Sequence, residues 1–469
     1  MSGVNRRNFM KFAGGAMASA ALAGCSGDGN DGGNGGNGGG NGSTDGDGTS
    51  GGSGGMQDGT RPLKWMGPAW GVRGGQGDKY TEVTGIETSI TNAAIPETTR
   101  RILSGGRSNF DIVSNDSPGG SAMVLDNDAT YAVSPSDLDR WESEYISDFF
   151  TNPVERVSYL DGQAEAMNEL IYEDPETMED LRWPPYVYAF DGPAYNPKHI
   201  DEVSEWSALF ADEYQGRVAL DAIPTVVMGE TVLHLFDNDM IDIERGNLNN
   251  PSKDQIDTII DFLIKEKQEG QFRSTWTSYG ESVTLMASEE AWIGDLYRPA
   301  CIDVRREGTP CEYANMTEGV QGYRSWFGGM APLKPGANER NNVAEATELL
   351  DMHYGAWFPG FIQQWEYCVP HYPNTDLVRD GSDETGQGMG PEYYDWAYRG
   401  ERTYESVEQP ALFDPMEYDW SMEESDPSPD GQKRDGPDIE TRIDSIGFIQ
   451  KYPDNAEYMN ERWADFESA

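Results

Sequence analysis

The sequence predicts an α/β fold with mainly parallel sheets, divided into two domains or lobes. Short strand-like runs alternate with helical patterns from about residue 62 onward, and this alternation is typical of α/β architecture. That part of the chain is about 410 residues long, which exceeds the usual length of one domain. It also contains most of the 13 Trp, 23 Tyr and 16 Phe of the chain, which can supply a hydrophobic core.

The strand-like segments are short, and each ends in a polar or glycine-rich loop. The first is followed by a predicted turn with five glycines between positions 67 and 77. Loops of this kind are expected where parallel strands end at one edge of a sheet. The predicted strands are residues 63–66, 110–114, 217–221 and 292–295.

Two helices have clear start signals. Ser252 and Gln255 form a predicted capping box, and apolar residues follow at helical spacing until Gly270. Asn342 and Glu345 are expected to open a second helix in the same way. Residues from about 376 to 439 are acidic, rich in Tyr and interrupted by Gly and Pro, so we expect a loop-rich elaboration there.

The first 25 residues have the pattern of an export signal that ends in a lipidation site. Arg6 and Arg7 precede a short apolar run, as in a twin-arginine signal. The run ends in Leu-Ala-Gly-Cys, which resembles a lipobox, so Cys25 is predicted to carry a lipid. An ordinary cleaved signal is the alternative. Residues 26–60 are nearly all Gly, Asn, Asp and Ser, and they predict a flexible tether with a reach of roughly 30 Å.

The charge of the chain is strongly negative. It contains 82 Asp and Glu against 34 Lys and Arg, for a formal net charge of −48. Nucleic acid is therefore not an expected partner, because phosphate binding needs a basic surface. An acidic surface with few Lys resembles the proteins of extreme halophiles, so we expect the protein to loosen when salt is removed.

Cysteine and histidine residues indicate no cofactor and no metal site. Apart from Cys25, the chain has only Cys301, Cys311 and Cys368. Cys301 and Cys311 either form a disulfide or are small buried residues. The four His are scattered, and no spacing of Cys and His resembles a zinc site.

Several segments resemble a known family in the correct order. The clearest are Thr-Gly-Ile-Glu at 84–87, Tyr-Val-Tyr-Ala-Phe at 186–190, Tyr-Gln-Gly-Arg-Val at 214–218 and Trp-Phe-Gly-Gly-Met-Ala-Pro-Leu at 326–333. They resemble segments of the polyamine-type (spermidine/putrescine) periplasmic solute-binding proteins of ABC transporters. The resemblance covers most of residues 62–375.

This resemblance implies a two-lobed periplasmic-binding-protein-like fold, with a ligand cleft between the lobes and crossover strands as the hinge. Lobe 1 would contain residues 61–187 and 327–372, and lobe 2 residues 188–326 and 373–469. The implied function is capture of a small organic solute, polyamine-like or otherwise amine-containing, and delivery to an ABC permease with a separate ATPase subunit. The protein would be a monomer on the extracellular face of the cell membrane, anchored by the lipid on Cys25, and would not be an enzyme.

The family holds its amine between aromatic rings and carboxylates, which stabilise a cation through ring faces and charge-assisted hydrogen bonds. Matching positions in this sequence give eight candidate ligand-binding residues. They are Trp70, Asn115, Asp116, Ser117, Asp221, Asp295, Trp326 and Tyr367. Each has a structural alternative, because Trp is common in cores and Asp is common in turns and helix caps.

Two short segments, Gly328-Gly329 and Tyr297-Arg298, leave the chemical class of the ligand open. The family has an acidic residue two positions after its cleft Trp, whereas this chain has Gly328. The pair Gly328-Gly329 could instead offer backbone N–H groups to a carboxylate or phosphate. Tyr297 and Arg298 could likewise place a cation in the cleft, which would favour an anionic or zwitterionic solute.

Two other functions remain as alternatives. A surface hydrolase of saccharides could use a carboxylate pair such as Glu289 and Glu290, or Asp221 and Asp295. The sequence has no Gly-x-Ser-x-Gly, His-Glu-x-x-His or phosphate-loop motif, so the chain is not itself the transporter ATPase. A structural surface-layer lipoprotein would favour all-β repeats, which are not evident.

Overall fold

The computed structural model describes only part of the chain. The described residues are 62–141, 146–317, 319–335, 342–365, 367–370, 379–382, 386–399, 403–404, 407–408, 437 and 439–469. The predicted signal, Cys25 and the tether lie outside these residues, as does most of the predicted elaboration at 376–439.

The described residues contain two main sheets and two small hairpins. The strands in chain order are β1 (Leu63–Gly67), β2 (Thr88–Asn92), β3 (Ile112–Asp116), β4 (Pro185–Asp191), β5 (Ala194–Tyr195), β6 (Val218–Asp221), β7 (Phe272–Trp276), β8 (Ile293–Gly294), β9 (Glu312–Tyr313), β10 (Tyr323–Pro332), β11 (Gly381–Ser382), β12 (Gly386–Gln387), β13 (Thr403–Tyr404), β14 (Val407–Glu408) and β15 (Ile446–Ile449). All four predicted strands are confirmed within one or two residues.

The larger sheet has six strands in the order β15-β10-β3-β1-β2, and β4 pairs with β10. β1 is parallel to β2 and β3, whereas β10 is antiparallel to β3 and β4. Every residue of β4 and β10 is buried. The sheet is therefore mixed, because β10 returns through its centre antiparallel to β3 and β4.

The smaller sheet has five strands in the order β7-β6-β8-β5-β9. β6 is parallel to β7 and β8, and the short β5 is antiparallel to β8 and β9. A separate cluster of buried side chains lies beside it and includes Ala219, Trp276, Cys301 and Cys311. The three described cysteines are buried and form no disulfide with one another, so the disulfide alternative does not hold in this structure.

The α-helices of the described residues are α1 (Gly74–Thr84), α2 (Ile95–Leu103), α3 (Ser117–Val124), α4 (Asp148–Thr151), α5 (Pro153–Arg156), α6 (Gly162–Ile171), α7 (Pro224–Asp237), α8 (Lys253–Glu269), α9 (Tyr279–Ala287), α10 (Arg298–Arg306), α11 (Val343–Met352), α12 (Trp357–Gln363), α13 (Pro391–Arg399), α14 (Ile439–Asp444) and α15 (Ala456–Ser468). None of the described helices is long and apolar enough to span a membrane.

The capping signals give mixed outcomes. The capping box of Ser252 and Gln255 is present, and α8 ends at Gly270, whose φ of 83° suits glycine. Asn342 is the N-cap of α11, although its side chain makes no capping hydrogen bond.

The predicted glycine-rich turn is wrong in its second half, because Gly74 begins α1. Tertiary packing there overrides the low helix propensity of glycine.

Among the described residues, three segments lead from the side of one main sheet to the side of the other, and they are called here the first, second and third crossings. β4 leads directly into β5, the segment after β9 leads back to β10, and β15 leads to α15. β15 pairs with the larger sheet, whereas α15 packs on α8 through the hydrogen bond from the Tyr458 hydroxyl to Asp257, at 2.7 Å. The boundaries of the two lobes given above stay a prediction.

Candidate ligand-binding site

Three predicted aromatic residues form a continuous row beside the first crossing. The ring centroids of Trp70 and Trp326 are 5.0 Å apart, and those of Trp326 and Tyr367 are 5.9 Å apart, both in edge-on geometry. Trp326 and Tyr367 are buried, whereas Trp70 is partly exposed on the loop after β1. Trp70 is therefore the member of the row that can offer a ring face to a ligand.

Gly328 explains how Trp70 reaches this position. A Cβ atom at Gly328 would lie 2.5 Å from the Trp70 ring and 2.8 Å from Val187. Gly328 also pairs with Asp116 of β3 on one side and Val187 of β4 on the other. Its backbone therefore belongs to the sheet, and the expectation that Gly328 and Gly329 offer free N–H groups to a ligand is wrong.

A buried carboxylate lies at the end of this row, where β4 crosses to β5. Asp191 Oδ2 accepts hydrogen bonds from Trp326 Nε1 and from Arg324 Nη2, each at 2.7 Å. Its other oxygen lies 3.3 Å from the Tyr313 hydroxyl. Burial raises the pKa of Asp191, and the charge of Arg324 counteracts that effect. The aromatic row is thus attached to an ion pair between β4 and β10, at the start of the first crossing.

Arg324 connects three chain segments at the crossing. Its Nε donates to Glu230 Oε1 at 3.2 Å, and its Nη1 donates to Gln450 Oε1 at 2.6 Å. Burial lowers the pKa of Arg324, but the charges of Asp191 and Glu230 outweigh it and raise the pKa overall. Burial and the nearby charge of Asp295 raise the pKa of Glu230.

The predicted pair Asp221 and Asp295 is together and buried. Asp295 Oδ2 accepts the backbone N–H of Asp221 at 2.8 Å, and its Oδ1 accepts from Trp276 Nε1 at 3.1 Å. Asp221 accepts from the Tyr297 hydroxyl at 3.0 Å. Burial raises the pKa of Asp295 to about 6. Burial and the charge of Asp295 raise the pKa of Asp221 well above its usual value.

Tyr297 and Arg298 flank this pair. Tyr297 is partly exposed and precedes α10, and its ring packs edge-on against Trp276 with the ring centroids 5.7 Å apart. Arg298 is buried, and its guanidinium lies 4.6 Å from the centre of the Tyr313 ring. Its charge also lowers the pKa of Asp191, against the larger effect of burial. Arg298 thus belongs to the same buried cluster as Asp191.

The predicted residues Asn115, Asp116 and Ser117 have partners within the protein. Asn115 Nδ2 donates to Thr99 Oγ1 at 2.9 Å, and Asp116 caps α3 by accepting the Gly119 N–H at 2.8 Å. Ser117 Oγ donates to the Gln450 carbonyl at 3.1 Å. Burial raises the pKa of Asp116 to about 7. These partners are not members of the aromatic row, and the partner of Ser117 lies on the third crossing. A role of the trio in ligand binding stays a prediction.

Sequence reasoning missed the central residues of the site, Asp191, Arg324 and Glu230. A local signal exists only for Asp191, which follows the apolar run 186–190 and precedes Gly192. Arg324 and Glu230 lie in a buried strand and a buried face of α7, where neighbouring residues give no indication of a partner.

Sequence reasoning also missed Arg73, which lies at the rim of the site. Its guanidinium lies 3.7 Å over the Trp365 ring. Burial lowers its pKa, while Tyr367, Tyr279 and Asp303 act electrostatically in the opposite direction. The Tyr279 hydroxyl donates to Asp303 at 2.7 Å. Tyr279 and Asp303 belong to α9 and α10, so Arg73 on the loop after β1 interacts electrostatically with residues on the side of the smaller sheet.

No protein-family model matches the chain, and no curated protein sequence matches it. Solved structures do match. The spermidine/putrescine ABC transporter substrate-binding protein PotD of Streptococcus pneumoniae aligns with a TM-score of 0.54 at 16% identity, over 87% of this chain and 99% of its own. The TpPotD lipoprotein of Treponema pallidum aligns with a TM-score of 0.56 at 12% identity, over 86% of this chain and 98% of its own.

These alignments confirm the predicted fold class. The chain is an α/β protein with the two-lobed fold of periplasmic binding proteins, and its three crossings form the connection between the lobes. Within the described residues, no group of three or more His, Cys, Asp or Glu could hold a metal ion.

Proposed function

We propose that the protein is the extracytoplasmic solute-binding lipoprotein of an ABC importer. It captures a small organic solute, polyamine-like or otherwise amine-containing, and delivers it to a membrane permease driven by a separate ATPase. The observation that supports this most is the row of Trp70, Trp326 and Tyr367, which ends on Asp191 where the chain first crosses between the sheets. The fold shared with PotD-type proteins supports the same role.

The chemistry of the cluster favours a cationic group. Trp70 follows β1 of the larger sheet, Tyr297 precedes α10 beside the smaller sheet, and both residues are partly exposed. Aromatic ring faces stabilise a protonated amine by about 0.5–2 kcal/mol each. Behind them lie four buried carboxyl groups and two buried arginines. These are Asp191, Asp221, Glu230, Asp295, Arg298 and Arg324. The excess of carboxyl groups gives the cleft a negative potential when they are ionised.

Closure follows from the position of the site between the lobes. A solute that contacts Trp70 on one side and Tyr297 on the other stabilises the closed arrangement only through these differential contacts. The lobes proposed are residues 61–187 with 327–372 and residues 188–326 with 373–469. The lipid on Cys25 and the tether 26–60 keep this head near the membrane, where the closed form docks on the permease.

A thermal-shift screen in molar salt tests the proposal. Polyamines, amino acids, cationic osmolytes, sugars and small anions are each added to the purified protein. A ligand at 100 times its dissociation constant adds about 2.7 kcal/mol, so a shift of a few degrees is expected with at least one amine. A shift only with anions would overturn the ligand class, and no shift with any solute would overturn the binding function.

The raised pKa values predict how binding depends on pH. Burial raises the pKa of Asp295 to about 6, so this carboxyl group is partly protonated below neutrality. An amine binds the ionised form more tightly, so its affinity should rise as the pH increases from 5 to 7. Titration calorimetry at these two pH values measures the change. An amine affinity that is the same at both would show that the carboxyl cluster does not contact the solute electrostatically.

A further inference from the structure

A second concave site lies behind the crossings, away from the aromatic row. It is a cavity of about 300 Å³. Its wall contains Tyr159, Arg245, Thr317, Gly319, Gly322 and Ser445. Thr317, Gly319 and Gly322 belong to the second crossing, between β9 and β10, whereas Ser445 lies between α14 and β15. Arg245 comes from the segment between α7 and α8.

Arg245 is the cation of this cavity, and within the described residues no carboxylate is paired with it. Its Nε is buried without a hydrogen-bond partner. Its guanidinium lies 5.6 Å from the centre of the Tyr159 ring, and Tyr159 is the group that acts on it electrostatically. An arginine without an acidic partner among the described residues is unexpected in a chain with 82 acidic and 34 basic residues.

Arg156, on the same side of the molecule, shows the contrast. It pairs with Asp148, Glu440 and Asp444 at distances of 3.1, 2.9 and 2.5 Å. Asp444 also lines the cavity, so this carboxylate is held by Arg156 and not by Arg245. The positive charge of Arg156 is therefore already paired, whereas Arg245 has no acidic partner among the described residues.

The wall opposite Arg245 is fixed in place. The Tyr159 hydroxyl donates to the Ile443 carbonyl at 2.6 Å and accepts the Ile446 N–H at 3.1 Å. Gly322 has a φ of 62°, and a Cβ there would lie 2.3 Å from the Ser445 carbonyl oxygen. The second and third crossings thus pack directly on each other at this cavity, and the volume between them and Arg245 is preformed.

We infer that this cavity is a binding site for a small oxyanion, held by Arg245 at the back of the lobe connection. A planar guanidinium matches the geometry of carboxylate, sulfate and phosphate. One water takes about 30 Å³ in the liquid, so a cavity of this size has room for an oxyanion and bridging waters. A bound anion offsets the desolvated charge of Arg245 and joins both crossings to the segment between α7 and α8.

Equilibrium dialysis with radiolabelled sulfate tests the site, at fixed potassium chloride. Phosphate and malonate serve as unlabelled competitors. We expect one saturable sulfate per chain, and binding at least about 10-fold weaker in Arg245→Gln. The matched control is Arg217→Gln, because Arg217 also lies over an aromatic ring, 4.8 Å from the centre of Trp292, outside the cavity. This control should bind sulfate as the wild type does.

A second variant keeps the test valid if Arg245→Gln fails to fold. Thr317→Asp retains Arg245 and places a carboxylate in the cavity wall, so it should abolish sulfate binding while the circular dichroism spectrum is unchanged. The inference is overturned if the wild type binds none of the three anions saturably. It is also overturned if either cavity variant is folded and binds sulfate as tightly as the wild type.

Discussion

Two arginine clusters in this protein have similar partners but opposite surroundings. At the lobe crossing, Arg324 pairs with Asp191 and Glu230, and all three side chains are at most 3% exposed. On the outer face, Arg462 pairs with Asp257, Asp261 and Asp465, whose side chains are 39–70% exposed. Burial makes the first cluster costly to break, while solvent and salt weaken the second.

The comparison also separates two roles of acidic residues. Most of the Asp and Glu among the described residues lie at the surface. The 82 acidic residues of the whole chain set its net charge of −48. A few, including Asp191, Asp221, Glu230 and Asp295, are buried at the crossing and act through specific partners. Removing salt should therefore affect the first group much more than the second.

The largest expected effect is that of salt on the whole protein. At 1 M salt the Debye length is about 3 Å, and at 0.01 M it is about 30 Å, so surface carboxylates repel one another strongly only in dilute salt. Lowering potassium chloride from molar to millimolar concentration should lower the melting temperature by more than any substitution below. Circular dichroism melts measure this. Sucrose at equal osmolarity is the control, and it should not replace the salt.

The next effect is the loss of the buried arginine. Arg324→Met leaves Asp191 and Glu230 buried without their cation, which should lower the free energy of unfolding by about 3–5 kcal/mol. The matched Arg462→Met removes a partly exposed cation whose three partners are exposed, and we expect a loss of about 1 kcal/mol or less. Urea unfolding in molar salt gives both values. Equal losses would contradict the distinction between the two clusters.

A buried histidine makes the free energy of unfolding depend on pH, and we expect its contribution to change by about 3 kcal/mol. His353 is fully buried, with Nδ1 2.7 Å from the Leu349 carbonyl and Nε2 2.9 Å from Gln76. Burial lowers its pKa to about 4. A free histidine titrates near pH 6.5, so this stabilisation is complete above pH 6.5 and is lost as the pH falls to 4, by roughly 3 kcal/mol.

The histidine effect is isolated by comparison with His353→Gln. Asp295 contributes with the opposite sign, because its raised pKa lowers stability as the pH rises from about 4 to 6. Subtracting the variant's unfolding free energy from that of the wild type removes this common contribution. The difference should shrink between pH 7 and pH 4.5, and a difference that does not change with pH would contradict the assignment of a neutral His353.

Whether a structural feature could be predicted from the sequence depends on whether the residues that determine it are close together in the chain. The box of Ser252 and Gln255 predicted α8, because its atoms lie within one turn of the helix. The start of α1 at Gly74 was not predicted, since tertiary packing decides it. The aromatic positions Trp70 and Trp326 could be found through family resemblance, and the structure brings them together.

The ionic centre of the site could not be predicted in the same way. Its members lie at positions 191, 230, 324 and 450, and their contacts arise only when β4, α7, β10 and the segment after β15 meet. Asn115, by contrast, matched a family position, but its hydrogen bonds hold α2 against β3. Local similarity thus identified the strand ends, and which of the matched side chains contact a ligand stays a prediction.

The measurement that tests the central claim most directly is solute affinity in Trp70→Ala. Trp70 is partly exposed, so its loss should weaken binding of the solute found in the screen by about 10-fold while the melting temperature changes little. Trp292→Ala is the matched control, because Trp292 is also partly exposed but stacks on His199, at 4.3 Å. It should leave affinity unchanged. Equal affinity in wild type and Trp70→Ala would contradict a solute site at the aromatic row.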